Sequence, residues 1–181
     1  MAEEGIGATG GLGPPILVGH SDGASIALLY PSLAPLSAPH PLGIVAMSAH
    51  VLVEEMGAAA IDHLRQTYRE GLRSRLARHH RNADAVFEAW SEVWVSDRFR
   101  PWTLDHELGA VTCPVLAIQG AVDGYGTSIQ LERLAAAVAG PVEVHELPGV
   151  DHWPHKEATA DVLWLITTFC RQLTGASHPG S

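Results

Sequence analysis

Apolar residues recur along the chain in four short runs at positions 16–18, 43–47, 114–118 and 142–147, the first three nearly unbroken. Continuous runs of this length predict strands of a parallel sheet buried on both faces, because an alternating pattern would be expected if one face met water. Between them the pattern changes to helical spacing. A helix is predicted over 24–30, stopped by Pro31, and another over 128–139, stopped by Gly140 and Pro141. A third, over 158–173, aligns Val162, Leu165, Ile166, Phe169 and Leu173 on one face. Strand alternating with helix predicts an α/β fold, with a parallel sheet of about four strands and flanking helices. Residues 53–108 break the alternation. They contain no convincing strand and read as helices carrying Tyr68, Phe87, Trp90, Trp94, Phe99 and Trp102. An insert between two strands, on the side where the strands end, is placed to act as a lid.

The 181 residues are enough for one domain with a core, and a hydrophobic fraction of 46% excludes a disordered chain. The expected single domain has its core in 14–52 and 109–175, a helical cap in 53–108, and flexible ends at 1–13 and 176–181. The formal charge of -9 argues against a nucleic-acid surface. Arg65, Arg69, Arg73, Arg75, Arg78 and Arg81 cluster in the insert, and the preferred reading is a solvated helix face. Cys113 and Cys170 form no C-x-x-C pair, which fits a reducing compartment. The start has neither a basic end nor an apolar core, so no signal peptide is expected, and no run is long enough to span a bilayer. These features predict a cytoplasmic protein with no membrane partner. Gly5, Gly7 and Gly10 match G-x-G-x-x-G. No strand precedes them and Gly13-Pro14-Pro15 follows, so a dinucleotide site is rejected.

The strongest chemical signal is Gly19-His20-Ser21-Asp22-Gly23, set between a predicted strand and a predicted helix. This is G-x-S-x-G in the context of a nucleophile elbow. The serine is held in a strained turn, and glycines two before and two after are expected to remove side-chain clashes. A serine hydroxyl needs a base, and the base a carboxylate to orient it. Asp123 follows the strand of "PVLAIQG", and His152 follows that of "VEVHELPG". The chain order is Ser, Asp, His, with each at a predicted strand end.

At this point the chain resembles the C-terminal two-thirds of an α/β-hydrolase. "GHSDG", "CPVLAIQGAVDGYGT" and "LPGVDHWPHKE" are similar to that family's three triad blocks, and "AWSEVWVSDRFRPWTLDHEL" to the return from its cap. The resemblance implies Ser21 as nucleophile, Asp123 as orienting acid and His152 as general base of a serine hydrolase acting on an ester or related acyl bond. It also implies the backbone N–H of Asp22 as an oxyanion donor and no cofactor; His145, Asp151, His152 and His155 lack the spacing of a metallohydrolase helix such as H-E-x-x-H, so no metal is expected. His155 is a weaker candidate base, and Asp151 and Glu54 are weaker candidate acids. His20 reads as structural. His50 is expected near the cleft mouth, where it, Trp90 and Trp94 are candidate substrate contacts. The family's earlier strands, and the loop that supplies a second oxyanion N–H, have no counterpart here. Impaired turnover and self-association through an exposed sheet edge are therefore expected. The competing reading is a non-catalytic remnant acting as an interaction module.

Overall fold

The two middle apolar runs become strands buried at every position, β2 (Gly43–Met47) and β3 (Val115–Gly120). They lie between β1 (Ile16–His20) and β4 (Val142–Leu147) in a four-stranded, all-parallel sheet of order β1-β2-β3-β4. The register aligns Gly19 with Ala46 and Ala46 with Ala117. This is a computed structural model, and it describes residues 13–35 and 37–175. The glycine-rich segment with Gly5, Gly7 and Gly10, most of the 1–13 end and the 176–181 tail lie outside the described residues.

Helices cover both faces, which is why the central runs carry no alternation. Ile44, Ala46, Val115 and Ala117 pack on one side with Ala24 and Leu28 of α1 (Asp22–Leu33) and Leu134 of α6 (Ile129–Ala137). Val45, Met47, Leu116 and Ile118 pack on the other with Val162, Leu165 and Phe169 of α8 (Thr159–Thr174), which follows the short α7 (Pro154–Glu157). The amphipathic face of the last predicted helix thus finds the sheet. β1 is the outer strand of the described sheet, and its Val18 is 55% exposed.

Helix α1 corrects one expectation, since it runs through Pro31 to Leu33. Proline removes one N–H donor, and so one rung of the helical ladder. So near the C-terminal end the loss is local, and Ala34 N–H closes the helix on the Tyr30 carbonyl at 2.9 Å.

The insert is mainly helical. It holds α2 (Glu55–Thr67), a 3₁₀ turn at Tyr68–Glu70, α3 (Leu72–Leu76) and α4 (Ala83–Val95). Its neck is a single antiparallel bridge between Leu52 and Thr103, with Leu104 N–H bonded to the Val51 carbonyl at 2.8 Å. The returning chain forms α5 (Asp105–Leu108), whose Leu108 joins the core beside α1. Of the clustered arginines, Arg73 pairs with Asp84, and Arg69, Arg75, Arg78 and Arg81 are exposed. The Arg73 and Tyr68 hydrogen bonds hold the Asp84 carboxyl at about 2. Among the described residues no helix is long and apolar enough to cross a membrane.

Candidate active site

The hydrogen-bond ladder of the sheet continues one residue past the strands. Ser21 N–H reaches the Met47 carbonyl, Ser48 N–H the Ile118 carbonyl and Ala121 N–H the Leu147 carbonyl, at 2.7–2.9 Å. The four strands therefore release their chains at one level. Just beyond each exit stands one side chain with chemistry: Ser21, His50, Asp123 and His152.

At Ser21 the chain turns with φ 55 and ψ -128, a region that non-glycine residues rarely occupy. The turn swings the strand straight into α1, whose first residues lie against β1. A Cβ on Gly19 would strike the Gly23 carbonyl and the Ala24 nitrogen, so position 19 must be glycine. Position 23 departs from the expectation, because a Cβ there would meet nothing within 4 Å. The close approach is between the strand at Gly19 and the backbone of the helix, and one missing side chain is enough to allow it. Asp22 N–H, at the first helical position, has no hydrogen-bond partner among the described residues. It is free to receive an anion at the positive end of α1.

The Ser21 hydroxyl lies 3.0 Å from His152 Nε2. On the far side of the ring, His152 Nδ1 is 2.9 Å and 3.0 Å from the two oxygens of Asp123. A carboxylate can only accept, so Nδ1 carries the proton and Nε2 presents its lone pair to the hydroxyl. His152 is 4% exposed and Asp123 6%. Burial pushes the Asp123 carboxyl up, but the hydrogen bonds from His152 and from Tyr125 N–H outweigh it and hold it below its ordinary value. This line can carry a proton from the hydroxyl to the ring and stabilise the resulting imidazolium.

The weaker candidates brace this line from outside. Asp151 Oδ1 accepts from Gly124 N–H at 2.9 Å and His152 N–H at 2.7 Å, so it ties the acid loop to the histidine loop. Glu54 accepts from Thr127 N–H and hydroxyl and from Gln130 Nε2, at 2.7–2.8 Å. His20 Nε2–H donates to the His152 carbonyl at 2.7 Å. The His155 ring packs against His20 at 4.7 Å and has no hydrogen bond to Ser21 or Asp123. Two glutamines were missed from sequence. Gln130 Oε1 accepts from Val51 and Leu52 N–H, and Gln119 Nε2 donates to the Gly126 and Thr127 carbonyls. A glutamine within the apolar run "VLAIQG" was the available signal, because buried amides require partners.

Above Ser21 is a cavity of about 280 Å³, walled mainly by apolar side chains of the insert and floored by Ser21, Asp22, His50 and His152. Trp90 and Trp94 both line it. The Trp90 indole N–H donates to Asp22 Oδ2 at 2.7 Å, so those two polar groups satisfy each other. His50 departs from the expected position at the mouth. It is 6% exposed, with Trp94 against its ring at 5.0 Å and the His152 ring stacked on it at 5.7 Å. It follows a turn after β2 in which Ser48 takes φ 46, and Ser25 Oγ holds its backbone N–H and carbonyl.

Burial lowers the pKa of His50, and His152 beside it acts in the same direction; burial also lowers those of His20 and His155. Their folded values lie below the ordinary 6.5, so on acidification the unfolded chain binds protons first. Stability is then expected to hold above about pH 7 and to fall as pH drops through that ordinary value. The buried His50 supplies at most one proton of slope, about 1.4 kcal/mol per pH unit. Urea midpoints between about pH 7 and 5 should fall, and should fall less steeply in His50→Leu; parallel curves would contradict this.

The sequence matches the model of the alpha/beta hydrolase family over residues 2–163. No curated protein matches the chain. Among solved structures, proline iminopeptidase of Mycobacterium smegmatis is similar at 17% identity and TM-score 0.62, over 93% of this chain and 68% of that one. A variant of the meta-cleavage product hydrolase of Pseudomonas fluorescens IP01 is similar at 17% identity and TM-score 0.63, over 86% of this chain and 64% of the other. A thermophilic esterase of Thermogutta terrifontis is similar at 19% identity and TM-score 0.60, over 89% and 66%. The chain thus spans about two thirds of the length of each of these structures.

Proposed function

Because the chain belongs to the alpha/beta hydrolase family, we propose that it is a serine hydrolase that cleaves an ester or related acyl bond with Ser21, His152 and Asp123. The observation that carries this reading is the buried hydrogen-bonded line from the Ser21 hydroxyl through both nitrogens of His152 to Asp123. Ser21 Oγ attacks the carbonyl carbon while its proton passes to His152 Nε2. The carbonyl oxygen becomes an oxyanion facing the Asp22 N–H at the start of α1. Collapse expels the alcohol, which takes the proton from His152 and leaves an acyl ester on Ser21. Water attacks that ester as His152 takes its proton, and collapse releases the acid while His152 returns the proton to Ser21 Oγ. Asp123 holds the ring in the tautomer both halves require. No cofactor or metal enters the scheme.

The wall residues suggest what is bound. The insert contributes leucines, Phe87, Trp90 and Trp94 to the cavity, and among the described residues no lysine or arginine lines it. An uncharged, apolar acyl or alcohol portion fits, because burying a charge without a partner is costly. Both cysteines are free, in keeping with a reducing, cytoplasmic setting.

A fluorophosphonate probe tests the assignment. The expected result is covalent labelling at Ser21 alone, abolished in Ser21→Ala. Labelling that persists in that variant would assign the nucleophile elsewhere.

A further inference from the structure

Of the polar groups that line the cavity, some have a partner and some have none. Ser21 and His152 are bonded to each other, and Asp22 and Trp90 likewise. His50 is different. It is 6% exposed and lines the cavity beside His152, yet its ring nitrogens have no hydrogen-bond partner among the described residues. Its backbone, by contrast, is fixed on both sides, since Ser25 Oγ donates to its carbonyl at 2.6 Å and accepts from its N–H at 3.2 Å. Trp94 packs against the ring at 5.0 Å, which limits its rotation. A polar ring held in place on the wall of an apolar chamber, with no protein partner, is open to a hydrogen bond from a ligand group.

We propose that His50 is a specificity residue, which receives by hydrogen bond an uncharged carbonyl or hydroxyl group carried on an otherwise apolar acyl portion of the substrate. The ligand group is uncharged for two reasons. Among the described residues no lysine or arginine lines the cavity to pair with an anion. The lining carboxylate, Asp22, is already bonded to Trp90, so an ammonium group would have to displace that bond. Burial and the neighbouring His152 both disfavour the charged form of His50, so its ring offers one N–H donor and one nitrogen acceptor. A carbonyl takes the donor and a hydroxyl can use either. Substrates lacking such a group leave the ring unpaired, and sites of this kind discriminate against them. The proposal rests on the hydrolase reading only in treating this cavity as the acyl pocket.

The test is binding without turnover, using the full chain carrying Ser21→Ala. Quenching of tryptophan fluorescence, to which Trp90 and Trp94 contribute from the cavity wall, gives the Kd of two matched ester pairs. One pair is methyl 4-oxopentanoate and methyl 4-methylpentanoate; the other is methyl 5-oxohexanoate and methyl 5-methylhexanoate. Each pair exchanges a carbonyl oxygen for a methyl group of similar size. In at least one pair the oxo ester is expected to bind more tightly than its apolar match. His50→Leu should weaken that oxo ester by about three- to tenfold and leave the match nearly unchanged. His50→Gln, which keeps a donor and an acceptor, should retain part of the preference. Apolar esters that bind more tightly in both pairs before His50 is changed overturn the proposal, whether or not His50→Leu folds. It is equally overturned by an oxo preference that survives His50→Leu, or by neither pair binding. Failure of Ser21 to take the fluorophosphonate label would overturn the hydrolase reading instead, and the Kd ratios would still decide the role of His50.

Discussion

His152→Ala is expected to lower turnover of a p-nitrophenyl ester by about four orders of magnitude, and Asp123→Asn by nearly as much. Without the imidazole, the Ser21 proton has no acceptor within hydrogen-bond distance, since His152 Nε2 at 3.0 Å is the nitrogen that meets the hydroxyl. Without the Asp123 carboxylate, the imidazolium formed during attack loses its buried counter-charge, and an amide in its place can turn its NH₂ to Nδ1 and favour the wrong tautomer. The double variant should be no worse than His152→Ala, because the members of such a line act as one unit. Two neighbours serve as controls. His155→Ala and Asp151→Asn should each cost no more than about tenfold, since His155 bonds neither Ser21 nor Asp123, and Asp151 joins two loops through backbone N–H groups. Steady-state kcat for the five proteins, with circular dichroism to confirm folding, decides the matter. If His155→Ala proved the more damaging of the two histidine changes, the base would have to be reassigned.

A second large effect is expected from a single methyl group. Gly19→Ala should cost more than about 3 kcal/mol or prevent folding, because its Cβ would meet the Gly23 carbonyl and the Ala24 nitrogen, which are backbone and cannot rotate away. To make room, α1 would have to move off β1, and Ser21 and the Asp22 N–H would move with it. Gly23→Ala should do the reverse. Its Cβ meets open space, its φ is not positive, and it lies in the first turn of α1. Alanine in place of glycine in a helix is worth up to about 1 kcal/mol. Urea unfolding of the two variants should therefore separate the glycines of G-x-S-x-G by several kcal/mol. Equal losses would show that the elbow is packed on both sides.

Part of the site was legible because it depends on chain order and strand ends. Ser21 and Asp123 follow short, nearly continuous apolar runs, His152 follows the alternating run that forms the partly exposed β4, and parallel strands bring their C-terminal ends to one edge. The runs at 43–47 and 142–147 correspond to β2 and β4 residue for residue. Pro31 was misread because the rule that proline ends helices concerns the helix interior, and one lost rung near the end is tolerated.

By itself the sequence determined which residues form the sheet, which form the helices on its two faces, and that a serine, an acid and a histidine leave the sheet at the same edge. These follow from local periodicity and from the requirement that apolar runs be buried. Only the tertiary structure decided what each polar side chain at that edge bonds to. Trp90 and Asp22 are far apart in sequence, and nothing local indicates that they satisfy each other. Asp151 and Asp123 are both acids just past strand ends, and only the fold of the two loops turns one to the imidazole and the other to backbone N–H groups. His50 reads as a loop histidine until the turn at Ser48 carries it beneath Trp94. Hydrogen-bond partners depend on distances of a few tenths of an ångström between segments that meet only after folding, and periodicity along one segment carries no information about them.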